Sequence, residues 1–105
     1  PYLIKSFKKK EKALAIRFSK YESIKTVEKF VGSFNWVWID TIGSLPVNSK
    51  NVEVLNNFKK CLVCPSRWGQ KNRIKKYLKT LKSLNIDIDS VMTSIENISI
   101  YENTI

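Results

Sequence analysis

The sequence predicts an α/β fold, a parallel sheet of about four strands joined by crossover helices. Short apolar runs recur along the chain, at Leu14–Phe18, Trp36–Ile39, Cys61–Cys64 and Ile88–Met92, the second of them β-branched and aromatic throughout. Each of the first three is followed by apolar residues at helical spacing. Such an alternation makes right-handed crossovers and a parallel sheet.

Pro1 to Lys12 is a basic lead-in, either a helix remnant or a loop. Leu14-Ala15-Ile16-Arg17-Phe18 is the first strand. Between Tyr21 and Val31, the residues Ile24, Val27 and Val31 share one helical stripe, and Gly32 suits the C′ position that stops a helix. Trp36–Ile39 is the second strand and ends on Asp40. Pro46 disfavours helix at Leu45, so the next helix is expected from Ser49 or Asn51. Its stripe is Val52, Leu55 and Phe58, with Lys59 and Lys60 at its C-terminus. Cys61–Cys64 is the third strand, and Pro65 to Gly69 its exit loop. The strongest helical pattern starts near Asn72 and carries Ile74, Tyr77, Leu78, Leu81 and Leu84. Ile88–Met92 is the fourth strand. In the tail, Ile98 and Ile100 alternate with polar residues, as in a short edge strand or a loose end. The domain is thus expected over 13–94, between a lead-in of 1–12 and a tail of 95–105. Eight strand–helix units make a barrel of ~250 residues, so four amount to half of a (β/α)8 barrel or to a small open sheet. No Gly-rich phosphate loop follows a strand, which weakens a dinucleotide-binding reading.

With 105 residues, 43% hydrophobic and 27% charged, the chain has the composition of one globular domain. No apolar run approaches the ~20 residues of a membrane span, and no signal-peptide pattern opens the chain. The missing initiator Met suggests processing or excision from a longer protein. Nineteen Lys and Arg against nine Asp and Glu give +10. This favours phosphates, nucleic acid or acidic lipid as partners, or else marks solvated helix faces. The charge concentrates in Lys8-Lys9-Lys10-Glu11-Lys12 and in Lys71 to Lys82. Lys71, Lys75, Lys79 and Lys82 form a stripe suited to a non-enzymatic module that binds nucleic acid or other anions.

The chain has no His, which removes the commonest general base and metal ligand. Cys61 and Cys64 have C-x2-C spacing but lie in a strand, where positions i and i+3 point apart. A redox pair would open a helix, and one pair is half a zinc site. They read as reduced structural cysteines, which suits a cytoplasmic location. No cofactor is expected in this chain.

Strand parity puts Arg17 and Asp40 on one face, near the C-terminal ends of adjacent strands. That is where parallel α/β folds carry chemistry. An Arg there needs a partner or hydration, and Asp40 is the obvious partner. The pair is either an anion clamp, in which Asp40 orients Arg17, or a structural ion pair. Ser66, Arg67 and Gly69 form a polar, basic exit loop suited to phosphate, or an ordinary turn. Trp36 and Trp38 could stack on a ligand, but they also suit a core. Asp87 and Asp89, at the far end of the last strand, read as a helix-to-strand turn. The candidate binding residues are Arg17, Asp40, Ser66 and Arg67; no residue is assigned a catalytic or metal-binding role.

Trp36-Val37-Trp38-Ile39-Asp40, Lys60-Cys61-Leu62-Val63-Cys64-Pro65 with its following helix, and Ile86-Asp87-Ile88-Asp89-Ser90-Val91-Met92-Thr93-Ser94 resemble the last strands of glycerophosphodiester phosphodiesterase-like (phospholipase C-like) TIM barrels. The likeness covers 13–94. It implies a metal-dependent phosphoric diester hydrolase as the parent, using Mg²⁺ or Ca²⁺, with its catalytic His residues in an N-terminal half. None of those His residues carries over to this chain. The resemblance makes this the C-terminal part, inactive alone, with Asp40 and Ser66-Arg67 lining a pocket for a phosphorylated small molecule or phosphodiester. Half a barrel leaves two open sheet edges, to be met by the N-terminal half or by self-association.

Overall fold

The computed structural model describes residues 3–5 and 14–104. The basic run Lys8 to Lys12 and Ala13 lie outside the described residues. Five strands form one sheet in chain order: β1 (Leu3–Lys5), β2 (Leu14–Phe18), β3 (Trp36–Ile39), β4 (Lys59–Val63) and β5 (Ser90–Met92). β2 through β5 run parallel, as the sequence predicts. Helices α1 (Ile24–Glu28), α2 (Val52–Leu55) and α3 (Ile74–Ser83) lie in the crossovers, and α4 (Ile98–Thr104) follows β5.

The lead-in differs from expectation. Leu3–Lys5 is neither helix nor loop but pairs antiparallel with β2, Ile4 opposite Ala15. The edge of β2 is therefore paired, and β1 and β5 are the outer strands of the sheet.

The core lies between the helices and one sheet face. Ile16 and Phe18 of β2, Val37 and Ile39 of β3, and Leu62 of β4 alternate onto that face and are buried. They meet Val27, Leu55, Ile74, Leu78 and Leu81. Each fully buried aliphatic side chain contributes about 1.5–3 kcal/mol, which makes this layer the main stabilising element. The opposite face carries Ala15, Arg17, Trp36, Trp38 and Cys61, all partly exposed.

Local chemistry shifts several boundaries. α1 ends at Glu28, short of Val31, because Phe30 and Phe34 stack at 4.8 Å and close a tight turn. Gly32, at φ +86°, lies inside that turn rather than at the helix end, and Val31 is exposed. Lys59 and Lys60 start β4 instead of ending a helix. The Lys59 N–H donates to Asn35 O at 2.9 Å, and the Lys60 N–H to Asp89 Oδ2 at 2.8 Å. This is the turn role expected for Asp89, and it delays β5 to Ser90. The tail is helical: Asn97 and Tyr101 are buried at i, i+4 spacing, with Ile100 packed on the core. The Ile98/Ile100 alternation is incidental, since Ile98 is 40% exposed.

Both cysteines are free. Among the described residues no helix is long and apolar enough to cross a membrane.

Candidate functional site

The register of β2 on β3 builds the site. Arg17 lies opposite Trp38, so Asp40, two residues further on, is its diagonal neighbour on the same face. Arg17 Nε sits 3.2 Å from Asp40 Oδ2 and 3.6 Å from Glu22 Oε1. These contacts are ionic; Nε makes no aligned hydrogen bond. Asp40 is well anchored. Its Oδ1 accepts from the Ile42 N–H at 3.1 Å, an Asx-type turn, and from the Trp68 Nε1–H at 2.9 Å. Glu22 is fixed in turn by the Ser19 hydroxyl, which donates to Oε1 at 3.0 Å.

Trp68 reaches Asp40 because of the loop chemistry after β4. Pro65 opens a 3₁₀ turn, Pro65–Trp68, with its φ already suited to helix. Gly69 ends the turn in the left-handed region at φ +73°, its N–H donating to Ser66 O. That closure folds the indole back over the strand ends. Arg67 lies over the Trp68 ring, 5.4 Å from its centroid. Further support comes from Thr41, fully buried, whose hydroxyl donates to Val63 O at 2.7 Å and ties β3 to β4 where the ladder ends.

Together these groups line a cleft of about 300 Å³ at the C-terminal ends of the strands. Arg17, Trp38, Asp40, Arg67, Trp68 and Met92 face it. Of the residues singled out in the sequence, Arg17, Asp40 and Arg67 are brought together and Ser66 is not. The Ser66 hydroxyl donates to Cys64 Sγ at 3.0 Å, and Ser66 lines an adjoining cavity with Arg67. Sequence reasoning missed Trp68 and Glu22. No spacing rule reveals Trp68, whose arrival depends on Gly69. Glu22 had a faint signal, as Ser19-x-x-Glu22 is a capping-type pattern.

Cys64 is more than packing. Burial alone would push its thiol up. The hydroxyls of Ser66, Thr93 and Tyr101 and the Ser66 backbone N–H outweigh this, and the thiol is held below its ordinary 9.0. Burial, reinforced by hydrogen bonding and charge interaction with Cys64, pushes the Tyr101 phenol up.

A divalent metal does not fit these residues. Among the described residues no three His, Cys, Asp or Glu side chains converge. The carboxylates nearest the cleft, Asp40 and Glu22, are both engaged by Arg17. Compared with protein-family models, curated proteins and solved structures, the chain matches none.

Proposed function

We propose that the rim cleft binds the phosphate of a phosphorylated small molecule or phosphodiester, and that the chain acts as the C-terminal part of a phosphodiesterase-like barrel. The observation that carries this reading is the Arg17–Asp40–Trp68 constellation, a partly exposed cation held by a buried, doubly hydrogen-bonded acid at the strand ends. An ion pair meant only for stability gains little in such a half-open position. As a clamp, Asp40 spares Arg17 the entropy of ordering, Arg67 adds a second charge, and Trp38 and Trp68 wall the cleft against water. Ser66 belongs to the neighbouring cavity instead. Hydrolysis would need acid–base groups and metal ligands from elsewhere, because the chain has no His and its site carboxylates are committed.

The test is titration of the chain with inorganic phosphate, followed by NMR of the Trp68 indole and the Arg67 amide. Arg17→Met and Arg67→Met should each weaken binding about tenfold, the weight of one charge-assisted hydrogen bond. Unchanged affinity in both variants refutes the clamp. The parent activity is tested by adding an N-terminal half with Mg²⁺ or Ca²⁺ and assaying phosphodiesters.

A second reading has its own observation. Lys71, Lys75, Lys79 and Lys82 are all exposed, while Ile74, Tyr77, Leu78 and Leu81 are buried on the other side. Such a stripe could hold nucleic acid without any enzyme chemistry. Its binding would fall steeply with salt and ignore sequence, and Arg17→Met would leave it intact.

A further inference from the structure

The helices cover one face of the sheet only. Val27, Leu55, Ile74 and Tyr101, from α1, α2, α3 and α4, join a single core with Val37, Ile39 and Leu62. Ala15, Trp36, Trp38 and Cys61 project from the other face, and none of them belongs to that core. Among the described residues no α-helix packs there, and both indoles remain partly exposed. A parallel sheet ordinarily has both faces covered, so a pair of partly exposed tryptophans on one face marks an interaction surface.

The strand register sets a cation beside each ring. Arg17 of β2 stands across from Trp38, and Lys59 of β4 across from Trp36. The neighbours on the other side are small, Cys61 beside Trp38 and Ala15 beside Trp36. Lys59 Nζ lies 5.8 Å from the Trp36 ring centroid. Trp68, the third tryptophan of the chain, has Arg67 over its ring in the same way. Flat rings for stacking, each with a positive charge at its side, are the elements of a surface for single-stranded nucleic acid. The net charge of +10 attracts such a polyanion to the chain as a whole. A protein–protein interface would instead exclude lysine from its centre.

We infer that the open sheet face binds single-stranded nucleic acid, with successive bases stacked on Trp38 and Trp36 and the backbone running past Arg67, Arg17 and Lys59. The inference rests on the anion clamp proposed above and makes its phosphate one link of a polynucleotide. It concerns the chain by itself, since a second barrel half would fill this face. The two rings are set ~6.6 Å apart along β3 by the strand rise, about twice the 3.4 Å step of stacked bases. Adjacent bases must therefore splay, which a single strand allows and a duplex does not. The site is distinct from the lysine stripe of α3, a helix that packs on the other side of the sheet.

The experiment titrates the full chain with an oligothymidylate of about eight nucleotides, an abasic strand of the same length, a duplex of that length and inorganic phosphate. The oligothymidylate should bind about tenfold more tightly than the abasic strand or the duplex, the weight of one or two stacked bases. Trp36→Leu should remove most of that gain and Trp36→Phe should keep most of it, while Lys59→Met should lower the salt slope by about 0.7. Inorganic phosphate, bound at the far end of β3, should keep its affinity in all three variants, which also shows that they fold. Oligothymidylate no tighter than the abasic strand or the duplex, or a gain that survives Trp36→Leu, overturns the inference and leaves the anion clamp standing. Self-association of the chain that shields Trp36 assigns the face to a second copy and likewise overturns it. Failure of inorganic phosphate to bind overturns both.

Discussion

Neutralising Asp40 should destabilise the chain more than removing Arg17. Two unit charges 3.2 Å apart attract by roughly 5 kcal/mol at an effective dielectric of about 20. Most of that is offset by desolvation and by solvent screening, since the Arg17 side chain remains 28% exposed. A net coupling of about 1–2 kcal/mol remains. In Asp40→Asn the amide oxygen can still accept from Ile42 and Trp68, so only the charge is lost. The half-buried guanidinium then keeps Glu22, 0.4 Å further away, as its nearest acid (3.6 Å against 3.2 Å). The expected cost is about 2 kcal/mol. Arg17→Met leaves Asp40 with both N–H donors and should cost about 1 kcal/mol. Asp40→Ala also strands those donors, adding about 1 kcal/mol for each. Urea unfolding of the four chains in the Arg17→Met/Asp40→Asn cycle measures the coupling. Costs that add to within about 0.5 kcal/mol, or an Asp40→Asn milder than Arg17→Met, would refute the geometry on which the clamp depends.

Leu62, 1% exposed at the centre of the helix-facing layer, should lose about 3 kcal/mol on Leu62→Ala, seen as a lower urea midpoint at unchanged slope. Gly69→Ala should cost about 1 kcal/mol, all of it from the left-handed backbone, because an added Cβ meets nothing within 4 Å; a larger loss in thermal melts would indicate unrecognised crowding. The Cys64 thiol is held down in the folded chain. Its stabilising contribution is therefore complete above the unfolded value of 9.0 and lost as pH falls through the lower folded value. Tyr101 works in the opposite sense: its contribution is complete below the ordinary 10.0 and lost as pH rises beyond it. Urea midpoints should therefore climb toward pH 9 and decline above 10, and Cys64→Ser should flatten the climb; a level wild-type profile would contradict both assignments.

The parallel sheet was legible because β2, β3 and β4 coincide with short apolar runs, densest in β-branched and aromatic residues at β3, and parity within two of them sufficed to pair Arg17 with Asp40. What escaped was set by contacts distant in sequence. β1 exists because Leu3–Lys5 finds the free edge of β2, and a three-residue strand has no period to read. Lys60 looks like a helix end until Asp89, 29 residues away, is seen accepting its N–H. Trp68 looks like an apolar loop residue, and its position over Asp40 follows from one left-handed glycine. In the tail, a period of two in the isoleucines concealed the period of four shared by Asn97 and Tyr101.

The misses that bear on the site converge on one end of the sheet. Trp68, Glu22, Cys64, Thr93 and Tyr101 sit after strands, where the hydrophobic pattern that fixes a ladder has run out. Side chains there are positioned by turns and polar contacts that a linear reading does not weigh. The same end holds the buried Asp40 and the lowered Cys64 thiol, on which the Ser66, Thr93 and Tyr101 hydroxyls act. At the opposite end the polar groups are matched, Asp89 with the Lys60 N–H and the Lys60 ammonium with Phe58 O. A fold maintained for stability alone would have no reason to divide its polar chemistry so unevenly. The asymmetry follows if the strand C-termini are shaped for a ligand and the N-termini for the sheet.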